Sequence, residues 1–301
     1  MNTYIPARSE IPTWVLLAFV YSAWAGMILY WHSLPSLFLI PAGSLLLCLY
    51  GSVQHELTHG HPTRNALINN ALGSIPLNLW LPFKIYKDSH MAHHNNEIIT
   101  CPLEDPESFY VSPETWKKSG PVLRRYYRFR NTLAGRVLAG PAEILLVFYW
   151  RQIRAIFHKD RKTLQAWAIH LPLTLLLTGF LIYQNVNIAF YFFCLVYPGL
   201  SLTLIRSFAE HKFEEDPHHR SGIIEAGLFW RLLFLNNNYH AIHHENPRIC
   251  WHALPKLFNM DPKLALDKNG NYYLPSYKEL FRKYFFHSWD HPVRKADRIE
   301  E

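Results

Sequence analysis

The stretch LFLIPAGSLLLCLYGSVQHELTHGH, residues 37–61, decides the fold. Its first part, Leu37 to Val53, carries no formal charge, and its second part presents His55, His59 and His61 in quick succession. An uncharged helix rising about 1.5 Å per residue over that length crosses most of a bilayer core. A membrane helix therefore delivers a histidine cluster straight to one face.

Working outward, Trp14 to Trp31 is a second uncharged run, and the turn His32-Ser33-Leu34-Pro35 between the two lacks Lys and Arg. The pair reads as a hairpin whose tight turn is external, leaving Met1 and His55 on the same side. A long apolar run without a small-residue cleavage site predicts a retained anchor rather than a removed signal peptide. Farther on, Ala71 to Phe83 is apolar but broken by Gly73, Pro76, Asn78 and Pro82, which predicts a re-entrant or interfacial segment. Asn95 to Pro121 is polar and proline-rich and predicts a loop over the face that carries the histidines.

Arg124, Arg125, Arg128, Arg130 and Arg136 follow, the signature of a cytoplasmic segment. Val137 to Trp150 contains Glu143 and lies between basic flanks, which predicts an interfacial helix. Trp167 to Tyr183 and Ile188 to Ile205 complete the expected spans, joined by Gln184 to Asn187, again without a basic residue. Four crossings at 14–31, 37–53, 167–183 and 188–205, with both termini inside, form the simplest topology. Gly227 to Leu235 is too short to cross. The tail from Trp251 to Glu301 reads as a cytosolic cap with Arg294 to Glu301 as a solvated end. Residues 1–301 form one domain in this reading: an all-α polytopic membrane protein with about four transmembrane helices, interfacial helices and a histidine-rich cap.

Bulk composition conceals this architecture, because 50% hydrophobic residues and a mean hydropathy of −0.06 are ordinary for a soluble chain. Charged and aromatic tracts between the apolar segments lower the mean, so local windows decide. The net charge of +7 lies beside apolar stretches, which favours an anionic lipid surface over nucleic acid. Cys48, Cys101, Cys194 and Cys250 are isolated and form no CxxC pair, which excludes a thioredoxin-like redox pair and a cysteine-based zinc knuckle. Cys48 and Cys194 read as small buried hydrophobes.

Two further histidine words complete the pattern. His90-Met91-Ala92-His93-His94 and His240-Ala241-Ile242-His243-His244 share the spacing HxxHH, which on a helix sets the first and last imidazoles on one face with the third close by. His211 emerges just beyond the fourth span, as His55 does beyond the second. The word His55-Glu56-Leu57-Thr58-His59 also fits the HExxH pattern of zinc metalloproteases, in which the glutamate is the general base. A membrane protease is the competing reading, but a single zinc site needs only about four ligands. Glu56, Glu97, Asp105, Glu210, Glu245, Asn95 and Asn237 are candidates to hold the second ring nitrogen of metal-bound imidazoles. The arginine tract from Arg124 to Arg136 suits lipid headgroups, a substrate carboxylate or an acidic redox carrier.

The three boxes in this order resemble the membrane fatty acid desaturase and hydroxylase superfamily, over about residues 14–260. The resemblance implies metal ligation by His55 and His59, by His90, His93 and His94, by His240, His243 and His244, and by His211. It implies two iron ions in a diiron centre, O2 as cosubstrate and an external electron donor, namely a ferredoxin, rubredoxin or cytochrome-like carrier with its reductase. The implied reaction introduces a C=C bond into an acyl or other aliphatic substrate. Hydroxylation, or oxidative decarboxylation to a terminal alkene, uses the same set of ligands. The implied setting is the lipid bilayer, as a bacterial inner membrane with metal site and termini cytoplasmic, and no nucleic acid partner.

Overall fold

The structure is a computed structural model that describes residues 10–294. The expected solvated end beyond Arg294 and the placement of both termini lie outside the described residues. Among them the chain is helical, apart from a two-stranded parallel sheet of Ile223–Ile224 and Tyr273–Leu274. The helices used below are α1 (Ile11–Leu29), α2 (Ser36–Thr58), α3 (Ala66–Gly73), α4 (Phe83–His93), α5 (Pro121–Arg130), α6 (Leu133–Phe157), α7 (Arg161–Tyr183), α8 (Ile188–Phe208), α9 (Leu228–Leu233) and α10 (His240–Glu245).

Five of these, α1, α2, α6, α7 and α8, are long and apolar enough to cross a membrane. The all-α membrane class stands, while the helix count differs from the expected four. The addition is α6, which extends well beyond the Val137 to Trp150 interfacial segment expected from sequence. Arg136 and Arg151 truncated that segment on paper, whereas the helix continues through both. Its mean hydropathy of 1.3 is the lowest of the five, which is why a stricter reading discards it. Helix α2 likewise continues past Val53 to Thr58, so His55 lies in its last turn rather than beyond it.

The chain divides into two compact units. The first comprises residues up to Asp88 together with Pro141–Thr203. Here α2 and α8 approach closely: a side chain at Gly199 would begin 3.0 Å from the Ser44 carbonyl oxygen and 3.2 Å from the Leu47 Cβ. Small residues at such crossings let backbones pack without a hydrophobic drive between helices. The interrupted segment after α3 is irregular, as its glycine and prolines dictate, and its carbonyls need donors. Tyr21 donates to the Leu72 carbonyl, Tyr50 to that of Ile75, Gln54 to that of Gly73 and Tyr191 to that of Leu77. Leaving one such buried acceptor unpaired would cost about 1–3 kcal/mol. Cys48 is buried as expected, but Cys194 is only half-buried.

The second unit comprises Ser89–Gly140 and Leu204–Glu301. Its organising joint is Gly222. The Gly222 N–H donates to the Glu210 carbonyl and its own carbonyl accepts from the Ala241 N–H. The neighbouring Ile224 N–H donates to the Asn238 carbonyl. One short extended stretch thereby fixes both the backbone before His211 and the start of α10. A Cβ at Gly222 would meet the Tyr272 ring at 2.9 Å and the Ala209 carbonyl oxygen at 3.1 Å, so only glycine fits without displacing a neighbour. The arginine tract does not act as one surface. Arg130 and Arg136 are buried, with the Arg136 guanidinium 3.3 Å from the Phe109 ring centre, while Arg124 and Arg128 lie over the Trp116 ring.

Candidate metal centre

The second unit gathers seven of the histidines anticipated from sequence into two sets. His93, His211, His240 and His244 each offer a nitrogen within 4.8 Å of the others. His90, His94 and His243 do the same nearby in the chain order of the boxes. In the first unit, His55 and His59 occupy the end of α2 with ring centres 4.8 Å apart. His61, the third histidine of that cluster, faces Glu10 at 2.7 Å.

Each box is delivered by a local device. Helix α4 carries His90 and His93 on its last turn, with His94 just past it. The loop that follows folds back through Asp105, whose two carboxylate oxygens accept the Thr100 and Glu107 N–H groups, each at 2.9 Å. Buried Arg220 clamps that loop by donating to the Glu97 and Ile99 carbonyls, and it also donates to the Glu214 carbonyl after His211. Before α10, three asparagines divide the work. Asn236, with φ of 54°, closes the turn and donates to the Trp251 carbonyl. Asn237 donates to Glu210, and Asn238 donates to the Ile224 carbonyl. Asparagine tolerates the left-handed conformation better than most residues, which suits that turn.

The hydrogen bonds settle the tautomers. His93 Nδ1 faces Asp105 at 2.8 Å and His90 Nδ1 faces Glu107 at 3.0 Å. His240 Nδ1 faces the Asn237 side-chain oxygen at 3.2 Å and Glu210 at 3.4 Å, and His211 Nδ1 faces the Arg220 carbonyl at 3.4 Å. These oxygens only accept, so each Nδ1 carries a proton; the Nε2 of His90, His211 and His240 presents a lone pair, and that of His93 does so when its ring is neutral. The Nε2 of His211 lies 2.9 Å from those of both His93 and His240, and the Nε2 of His90 lies 3.0 Å from that of His94. Lone pairs held that close repel unless a cation lies between them. Imidazoles bound about 2.1 Å from one ion at right angles would stand roughly 3.0 Å apart, so the donor set fits a metal. Both ring nitrogens of His244 are buried without a hydrogen-bond partner among the described residues, which a ligand role accounts for.

Electrostatics points the same way. Burial, reinforced by neighbouring imidazoles, holds His211, His240 and His244 well below the usual histidine range. Burial and His90 take His94 down to about 3. These are neutral imidazoles, the form that binds metal. His93 is the exception: burial opposes its charge, but Glu107 and Asp105 raise it to about 9. Burial pushes Glu107 up, yet His93 and His90 outweigh it and hold the carboxylate well below its ordinary range. Glu107 thus stays anionic beside His93 and behind the neutral imidazoles of His94, His211, His240 and His244, an arrangement that balances buried cations.

Of the anticipated supports, Asp105, Glu210 and Asn237 reach histidines. Glu56 lies 3.4 Å from His55. Glu97 contributes its backbone carbonyl to Arg220, and Glu245 pairs with Lys268 at 3.1 Å. Glu107 and Arg220 also serve the site, outside the candidates the sequence offers. Glu107 carries a signal in hindsight, since Asp105 and Glu107 stand two apart in one acidic, proline-rich loop. Arg220 carries none, because its partners are backbone carbonyls.

A family model described as fatty acid desaturase matches residues 30–277, which spans all three histidine boxes and His211. No curated protein matches the chain.

Proposed function

The chain belongs to the fatty acid desaturase family, and from that premise we propose that it is a membrane oxidoreductase with two iron ions that introduces a C=C bond into an acyl or other aliphatic chain. An integral membrane enzyme of desaturase or hydroxylase type is the common ground of the family and its histidine sets. The observation that carries the finer reading is the convergence of His93, His211, His240 and His244, none of which belongs to the HExxH word. A zinc protease has no use for this second set.

In this proposal His93, His211, His240 and His244 hold one ion. His90, His94 and His243 hold the other, and the resemblance assigns His55 and His59 of the first box a metal-ligating role as well. When bound, the irons supply O2 activation and hydrogen abstraction from an unactivated C–H bond, drawing electrons from an external ferredoxin, rubredoxin or cytochrome-like carrier. The protein's own part is preparation. Asp105, Glu107, Glu210 and the Arg220 carbonyl fix the imidazole planes through Nδ1, so Nε2 is aimed before metal arrives. Burial of the histidines keeps water from competing for the reactive centre.

Topology follows from the same set. His93 and His211 belong to one unit with nitrogens 2.9 Å apart, yet three apolar helices separate them in sequence. An odd number of crossings would leave them on opposite faces, so two of the three cross. Basic residues precede α6, at Arg124, Arg125 and Arg128, and follow it, at Arg154, Lys159, Arg161 and Lys162. Both ends of α6 therefore belong on the cytoplasmic side, α7 and α8 form the crossing pair, and α1 and α2 the other. A bacterial inner membrane, with the histidines on the cytoplasmic side, fits this arrangement.

Untargeted mass spectrometry of lipids and small aliphatic acids from cells with the active protein, against His243→Ala, tests the reaction. A product lacking two hydrogens identifies desaturation, one gaining an oxygen identifies hydroxylation, and one losing CO2 identifies decarboxylation. No difference between the two samples overturns the proposed activity.

A further inference from the structure

Beside the histidines, the second unit has a cavity of about 60 Å³ that is partly open to solvent. Its inner wall includes Asp105, Glu107, Glu210 and His211, and its outer wall includes Tyr110 and Asp290. Between them stand Thr100, Asn131, Ser207 and Trp289. Each of these four has a buried polar atom without a hydrogen-bond partner among the described residues: Thr100 Oγ1, Asn131 Oδ1, Ser207 Oγ and Trp289 Nε1. Four such atoms on one small cavity is a pattern, because buried polar groups in folded proteins are nearly always satisfied.

The chemistry of the four selects the occupant. The Trp289 indole N–H can only donate, the Asn131 side-chain oxygen can only accept, and the two hydroxyls do either. An anion would satisfy the indole and find one cation in Arg136, but it would repel the Asn131 oxygen and face the four carboxylates of Asp105, Glu107, Glu210 and Asp290. A metal ion would satisfy the oxygens and leave the indole. Water satisfies all four, and about 60 Å³ exceeds the ~10–15 Å³ that a site needs to hold a water molecule.

The outer wall supplies a route to solvent. Tyr110 and Asp290 are half-buried, the Tyr110 hydroxyl donates to Asp290 at 2.8 Å, and the same hydroxyl accepts the Phe213 N–H at 3.0 Å. The Asn131 side-chain amide donates to the Asp290 carbonyl. On the inner side, Glu107 keeps 37% of its side chain open while holding His90. The geometry points to a water-filled proton inlet: internal water bound by Thr100, Asn131, Ser207 and Trp289 carries protons from Asp290 and Tyr110 to the back of the histidine centre.

This inference rests on the proposed reaction, which needs such a supply. Desaturation takes O2, two electrons and two protons from outside together with two substrate hydrogens, and releases two waters. Hydroxylation takes the same O2, electrons and protons and releases one water and the alcohol. The electrons come from the external carrier and the protons from solvent, so the inlet serves either outcome. Water itself carries the proton, and the inner carboxylates retain the charge with which they hold the histidines. Tyr110 and Asp290 are positioning residues at the mouth, not groups that touch substrate.

Two readouts test it on the full chain in detergent or nanodiscs. A high-resolution experimental structure of the wild type is expected to contain ordered water bridging Asn131 Oδ1 and Trp289 Nε1, and Ser207→Val is expected to displace part of it. Next, iron-loaded protein is reduced anaerobically, freed of excess reductant and mixed with O2 in H2O or D2O, with a pH-indicator dye reporting proton uptake. Ser207→Val and Asp290→Asn are expected to retain bound iron yet slow proton uptake about tenfold or more and enlarge the solvent isotope effect. Asp290→Asn keeps the mouth's volume, so it decides the matter if Ser207→Val fails to fold. A dry cavity, or unchanged uptake and isotope effect in Asp290→Asn, overturns the inlet and leaves the proposed reaction standing. Reduced iron that O2 does not oxidise in the wild type overturns the reaction itself, while the ordered water is read independently of turnover.

Discussion

Helices α7 and α10 invert each other. Helix α7 turns Leu171, Leu175, Leu176 and Ile182 outward and buries His170, whose ring nitrogen takes the Leu79 carbonyl as partner at 3.1 Å. Helix α10 buries His240, His243 and His244 and exposes Glu245. The two differ in what surrounds them. Around α7 the solvent is hydrocarbon, so apolar side chains face outward at no cost and a polar one must find a partner inside. Around α10 polar side chains are buried among defined counterparts: His240 Nδ1 faces the Asn237 and Glu210 oxygens, and His240 and His244 offer nitrogens beside those of His93 and His211. Burial alone thus says little about stability here; the chemistry of the partner decides its sign.

The sharpest way to break this contrast is to remove a nitrogen from the cap. His211→Ala takes away the imidazole that stands 2.9 Å from both His93 and His240. The expected outcome is loss of about one iron per chain and a fall in product beyond the ~100-fold that outer partners typically give. Metal analysis and product mass spectrometry check it, and retention of both irons would show that His211 is not a ligand. On the other side of the comparison, Leu176→Lys places a charge on the outward face of α7. Insertion of α7 is expected to become less favourable by about 2.5–3.5 kcal/mol, measured by a glycosylation-based insertion assay, with an unaffected result arguing that this face does not meet lipid.

Smaller effects sharpen the contrast further. Asp105→Asn keeps an acceptor toward His93 but removes its charge, and iron affinity is expected to fall 10- to 100-fold with the fold intact. Competition with a chelator, alongside circular dichroism, separates the two. The smallest effect is expected for Leu176→Ala, which leaves the outward face of α7 apolar and should shift stability by no more than about 0.5 kcal/mol. A larger loss in thermal unfolding would mean that Leu176 packs against protein.

The same contrast explains what could be read in the chain. Apolar runs declare themselves by composition, so α1, α2, α7 and α8 were legible close to their observed limits. Helix α6 was legible only in part, because Arg136 and Arg151 look like ends while the backbone hydrogen bonds run through them. The clustering of the boxed histidines was legible because HxxHH is a local spacing that a helix converts into a shared face. Of their supports, Asp105, Glu210 and Asn237 were named as candidates, whereas Glu107, seventeen residues from His90, and Arg220, more than a hundred from Ile99, were not. The role of Gly222 was equally hidden, for it depends on the approach of Tyr272 and Ala209 from elsewhere in the chain.

The central claim is that the histidines hold two irons rather than one zinc, and metal stoichiometry reaches it most directly. Wild-type protein purified, stripped and reconstituted anaerobically with ferrous iron should bind about two irons per chain and gain reductant- and O2-dependent turnover that zinc does not restore. One zinc per chain, tightly bound and sufficient for peptide hydrolysis, would contradict the account.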